Sequence, residues 1–128
     1  MKLTSPLTFA FALIAQSHAC VHFVGSIELN PLPTLSGMNA EVTDNGVVVC
    51  SGPTYTDQDG HFSLRCNPGF VFAATKNSAL AWYQNSGGQS WEVNLHATRS
   101  TQCCGGERPN GGCAITCTDY DWDTYLFC

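Results

Sequence analysis

The chain has 128 residues, 44% of them hydrophobic, with eight Cys and with ten Asp and Glu against five Lys and Arg. That length holds one hydrophobic core rather than two. Its formal charge of −5 excludes nucleic acid and anionic membranes as natural partners, because both reward clustered Lys and Arg.

Lys2 precedes an apolar run from Leu7 to Ala15, and Ser17-His18-Ala19 follows with small residues at the −3 and −1 places. This is the pattern of an export signal cleaved after Ala19, and it implies a secreted, extracellular protein. The run is broken by Gln16 and is shorter than the roughly 20 apolar residues a spanning helix needs. A lipoprotein signal would also put Cys first in the mature chain, but His18 does not suit one, so Cys20 reads as a cystine half. Residues 1–19 are thus a signal peptide and 20–128 a single domain. Cys20, Cys50, Cys66, Cys103, Cys104, Cys113, Cys117 and Cys128 all fall in the latter. An even count in an exported chain of this size reads as a framework of four disulfides, with the pairing left open.

Short period-2 runs bounded by Gly, Pro, Asn and Asp recur at close intervals, as in an all-β sandwich or barrel. Strands are expected near Val21–Glu28, Met38–Thr43, Val47–Cys50, His61–Cys66, Phe70–Thr75, Ala79–Tyr83, Ser90–Ala97 and Tyr120–Cys128. Pro-rich 30–37 reads as a surface connection. Asp44-Asn45-Gly46 suits a type I′ hairpin and Asn67-Pro68-Gly69 a type II turn. Alternation sends Phe62, Leu64 and Cys66 to one face, as it does Phe70, Phe72 and Ala74, and Trp91, Val93 and Leu95. Residues 102–112, poor in apolar side chains, read as a loop ordered by its cystines. The fold class is therefore a small, disulfide-stapled β-sandwich or β-barrel.

Thr56-Asp57-Gln58-Asp59-Gly60-His61-Phe62 has the form Thr-Asp-x-x-Gly-x-Phe, with Gly25-Ser26-Ile27 and Ala40-Glu41-Val42 upstream. This resembles the turn motif of the carboxypeptidase-regulatory and transthyretin-like β-sandwiches, and the resemblance implies that fold alone. A second likeness runs from Asp44-Asn45-Gly46 through Val49-Cys50-Ser51-Gly52 and Phe62-Ser63-Leu64-Arg65-Cys66-Asn67-Pro68-Gly69-Phe70 to Ala81-Trp82-Tyr83-Gln84-Asn85. These residues resemble a group of small cysteine-rich proteins secreted by filamentous fungi, several of them candidate effectors. The resemblance implies a virulence-type role in the apoplast, exerted by binding a host or competitor molecule without catalysis. A carbohydrate- or cell-wall-binding module and a small secreted toxin or hydrolase are the alternatives.

In Asp119-Tyr120-Asp121-Trp122-Asp123 the strand period puts three carboxylates on one face, roughly 7 Å apart. Such a row suits a cation or a basic partner, or else an edge strand that repels edge-to-edge pairing. Trp82 and Tyr83, with Trp91 and Trp122, are candidates for an aromatic platform or for core. Asp119, Asp121, Asp123, Trp82 and Tyr83 are accordingly the candidate partner-binding residues, with a host protein or glycan as partner.

Asp57, Asp59 and Gly60 fall short of an EF-hand, which places Tyr55 and Cys66 where ligands belong. His22, His61 and His96 stand singly, without metal-ligand spacing. Cys113 and Cys117, with Cys103 and Cys104, have zinc-like spacing, but an oxidising compartment consumes such thiols in cystines. Cys103 and Cys104 cannot readily pair with each other, so each is expected to tether a different element. No nucleophile elbow, phosphate loop or dinucleotide fingerprint occurs, and neither catalytic residues nor a cofactor are expected.

Overall fold

In the computed structural model, residues 20–55 and 59–128 are described, apart from the side chain of Glu107. The expected signal peptide lies outside the described residues, as do Thr56, Asp57 and Gln58 of the turn motif. The described residues form ten strands: β1 (Val21–Leu29), β2 (Gly37–Asp44), β3 (Val47–Ser51), β4 (His61–Ser63), β5 (Arg65–Cys66), β6 (Val71–Thr75), β7 (Ala81–Gln84), β8 (Ser90–Val93), β9 (Thr98–Glu107) and β10 (Cys113–Leu126). A short 3-10 turn, Pro33–Leu35, lies in the Pro-rich connection. Among the described residues no helix is long and apolar enough to cross a membrane.

Two antiparallel sheets result, in the orders β5-β3-β2-β1-β10-β9 and β4-β6-β7-β8. They pack face to face as a sandwich and do not close into a barrel. The inner face of the larger sheet contributes Val21, Phe23, Ile27, Met38, Ala40, Val42 and Trp122 to the core, and the smaller contributes Phe62, Phe72, Ala74, Ala81, Tyr83 and Val93. Phe23 joins the two layers, stacking on Phe72 at 5.7 Å between centroids and meeting Tyr83 edge-on at 5.4 Å. The inward sets expected from alternation are buried or packed against this core.

Both expected turns are present. Asn45 and Gly46 take φ of 51° and 79°, the two positive values that match the twist of a two-residue hairpin. Gly69 has φ +87°, and the Phe70 amide donates to the Asn67 carbonyl at 3.0 Å.

Several expectations are corrected. The run His61–Cys66 is not one strand: β4 pairs with β6 in the smaller sheet, whereas β5 pairs with β3 in the larger. The Cys50–Cys66 disulfide ties β5 to β3, so the chain changes sheets at Leu64 and makes a corner of the sandwich. Residues 102–112 are not a loop either. Most belong to β9, which forms a long hairpin with β10 around a tip at Arg108–Gly112. The backbone ladder supplies the order that their sparse apolar content could not.

All eight Cys are paired, as Cys20–Cys128, Cys50–Cys66, Cys103–Cys113 and Cys104–Cys117. Cys103 and Cys104 avoid one another, but both tether β9 to β10 rather than to two different elements. The ladder slips between Ile115 and Thr116, so that Gly105 opposes Ile115 while Cys103 opposes Thr116. This bulge leaves Cys104 without an opposite residue and frees it to reach Cys117.

Gly25 permits the closest approach within the larger sheet. A Cβ there would lie 2.3 Å from the Ala40 Cβ and 2.7 Å from the Asn39 carbonyl oxygen. Gly25→Ala is therefore expected to destabilise the protein by about 3 kcal/mol or more, at the upper end for overpacking. Guanidinium unfolding of the oxidised protein would read this as a lowered midpoint at unchanged slope.

Candidate functional site

Cross-strand pairing decides which side chains share the outer face of the larger sheet. Asp119 pairs with Glu28, which pairs with Gly37; Asp121 with Ser26, and Ser26 with Asn39; Asp123 with Val24, and Val24 with Glu41. Tyr125, His22 and Thr43 form a fourth row. Directly opposed residues in an antiparallel ladder point to the same side. The three carboxylates expected on one face are thus joined by Glu28 and Glu41, and β1, β2 and β10 contain no Lys or Arg.

The reading of this row as edge protection is overturned. β10 is an interior strand, paired to β1 on one side and β9 on the other. Repulsion along it cannot blunt a sheet edge, and the carboxylates instead charge a broad, solvent-facing surface. Among the described residues no group of three His, Cys, Asp or Glu side chains is placed to hold a metal ion.

Local contacts organise the two ends of the surface. At one end His22 Nε2 lies 2.5 Å from Asp123 Oδ1, and the imidazole stacks on Tyr125 at 4.2 Å with a 7° interplanar angle. At the other, Gln102 Nε2 donates to Glu28 Oε2 at 3.1 Å. Burial first, then the neighbouring Glu28 and Asp121 carboxylates, raise the Asp119 pKa above its ordinary value, while a hydrogen bond from Gln102 opposes the rise.

The proposed aromatic residues separate. Trp82 is 36% exposed on the outer face of the smaller sheet, where it meets His61 edge-on at 5.0 Å. Tyr83 is 1% exposed and donates its hydroxyl to Asp44. Burial chiefly, and then that carboxylate, push the phenol well above its usual range. Neighbours on a strand face opposite ways, so Trp82 and Tyr83 cannot serve one surface, and Tyr83 is corrected to a core residue. Trp122 is likewise buried, and Trp91 lies half-buried against Tyr83 and Phe127.

Glu28, Glu41 and His22 escaped the sequence reading because their place beside the Asp row depends on register between strands distant in sequence. The alternation of His22, Val24, Ser26 and Glu28 marks them as one outward face, but nothing local assigns their partners.

Because its folded pKa is raised, ionised Asp119 opposes folding above that pKa, and the effect vanishes below the unfolded value. Asp119→Asn is expected to stabilise the protein at neutral pH by no more than about 1 kcal/mol, the upper range for cross-strand pairs. The gain should fade as pH falls through the carboxylate range, as thermal unfolding of both proteins at neutral and acid pH would show.

No protein-family model matches the chain, and neither does any curated protein or any solved structure.

Proposed function

We propose that this is a secreted, effector-like protein that acts in the extracellular space by binding a host or competitor molecule, without catalysis. The observation that carries the reading is the acidic outer face: Glu28, Glu41, Asp119, Asp121 and Asp123 on three adjacent strands that hold no Lys or Arg. A uniformly signed surface draws an oppositely charged partner into encounter and selects against like-charged ones. The cystines suit such a surface to work outside the cell, where disulfides persist. The export-signal pattern of residues 1–19 and the likeness to small cysteine-rich fungal proteins support the same setting.

The test is infiltration of the purified oxidised protein into plant leaves, scoring cell death and the oxidative burst. Two controls accompany it: reduced and alkylated protein, and the Asp121→Lys, Asp123→Lys double variant. The expected result is a response, or suppression of one, that needs intact cystines and requires at least a tenfold higher dose of the charge-reversed protein. Equal activity of wild type and double variant would contradict the reading. Retention on chitin or glucan that is lost in Trp82→Ala would favour a wall-binding module acting through the opposite sheet.

A further inference from the structure

At the Glu28 end of the acidic face the sheet is covered on one side. The Met38 amide donates to the Thr54 carbonyl at 2.9 Å and the Thr54 amide returns to the Met38 carbonyl at 2.8 Å. This bridge holds Pro53, Thr54 and Tyr55 beside β2. The Tyr55 ring then comes to rest over Gly37, whose missing Cβ would stand 3.7 Å and 3.8 Å from ring carbons Cδ1 and Cε1. Gly37 is the cross-strand partner of Glu28, so the ring is brought to the row that carries the carboxylate. Leu35 and Pro53 add apolar lining, and Ser26, Glu28 and Asn39, on the outer face of the sheet, form the base of the resulting open groove of about 290 Å³.

Tyr55 is 69% and Leu35 58% exposed, so apolar surface stands beside a charged floor and is open to a partner. The cavity falls at the lower limit of small-molecule pockets, which begin at about 300 Å³, and so offers room for one long side chain. Its walls are aromatic and aliphatic, its floor supplies a carboxylate, an amide oxygen and a hydroxyl, and Asp119 and Asp121 lie in the same two cross-strand rows, opposite Glu28 and Ser26. A guanidinium has matching requirements. It stacks on an aromatic ring, lays its methylenes along apolar wall and directs planar N–H donors at a carboxylate.

We propose that the groove between Tyr55 and Leu35, floored by Glu28, is a docking site for an arginine side chain of a partner protein. The proposal rests on the binding role argued above and names the partner's anchoring chemistry. The Tyr55 ring takes the face of the guanidinium. Glu28 accepts from its edge while Gln102 holds the other carboxylate oxygen, and Asn39 and Ser26 accept the remaining donors.

The experiment is a titration of ¹⁵N-labelled oxidised protein with a short capped peptide carrying one arginine, followed by amide chemical shifts. The isosteric citrulline peptide and a chitin oligosaccharide are run in parallel. Shifts centred on Gly37, Asn39, Thr54 and Tyr55 are expected, with the citrulline peptide binding at least tenfold more weakly. Tyr55→Ala and Glu28→Gln should each weaken the arginine peptide about tenfold, and Trp82→Ala on the opposite sheet should leave it unchanged. Shifts spread over Asp121, Asp123 and Glu41 that persist in Tyr55→Ala would overturn the groove while leaving the acidic face as a binding surface. No shift with any arginine peptide would overturn the groove, and the charge-reversed protein in leaves then decides separately whether the acidic face acts at all. Stronger shifts at these amides from the oligosaccharide than from arginine would also overturn the proposal.

Discussion

Nine consecutive antiparallel pairs, from Val21 opposite Leu126 to Leu29 opposite Thr118, tie β1 to β10, and Cys20–Cys128 fastens the end of that ladder. The other strands of the larger sheet extend outward from this pair, β2, β3 and β5 on one side and β9 on the other. Its inner residues, Phe23 foremost, meet the smaller sheet. Its outer residues carry the carboxylates. The pairing joins residues from 89 (Leu29 and Thr118) to 105 (Val21 and Leu126) positions apart, so closing it costs much conformational entropy. A covalent link across a loop of that order removes about 4.7 kcal/mol of unfolded-state freedom in the chain-entropy model. A domain of this size buries a modest share of its surface, which makes such a contribution a large part of its stability.

The remaining cystines serve the places where packing is thinnest. Cys50–Cys66 pins the two-residue strand β5 to β3 at the corner where the chain changes sheets. Cys103–Cys113 and Cys104–Cys117 bind the hairpin β9–β10, most of whose residues are exposed or half-exposed. Ordinary sheet pairing sets the conformation there, and the covalent links keep the tip-side half, where few side chains are buried, from fraying. The acidic surface depends on the same economy. Repulsion between carboxylates such as Glu28 and Asp119 is borne because the strands that carry them are held by backbone ladders on both sides.

Much of the fold is legible in the sequence because it is local. Alternation in Phe62–Leu64, Phe72–Ala74 and Trp91–Leu95 reports which side chains turn inward; Asn45-Gly46 announces its turn through two residues that tolerate positive φ, and Pro68-Gly69 through a fixed negative φ followed by a positive one. What stays hidden depends on distant pairing. Residues 98–107, with Gly105-Gly106 and no aliphatic or aromatic side chain, show no apolar alternation of their own, and their order comes from β10. His61–Cys66 reads as continuous because the sheet change at Leu64 follows from a disulfide partner sixteen residues earlier. The Asp row is visible, as is its common face, but its interior position and its neighbours Glu28 and Glu41 follow from register. Tyr83 was ambiguous because it adjoins Trp82, and the Asp44 contact that fixes it in the core lies 39 residues away. Tyr55 and Gly37 meet through the bridge at Thr54, which no periodicity foretells.

The most direct test of the β1–β10 ladder and of the hairpin beside it is disulfide mapping of the unreduced protein by proteolysis and mass spectrometry. The account predicts four linked pairs: Cys20 with Cys128, Cys50 with Cys66, Cys103 with Cys113 and Cys104 with Cys117. Cys20 linked to any cysteine other than Cys128, or free thiols at Cys103 and Cys104, would contradict it.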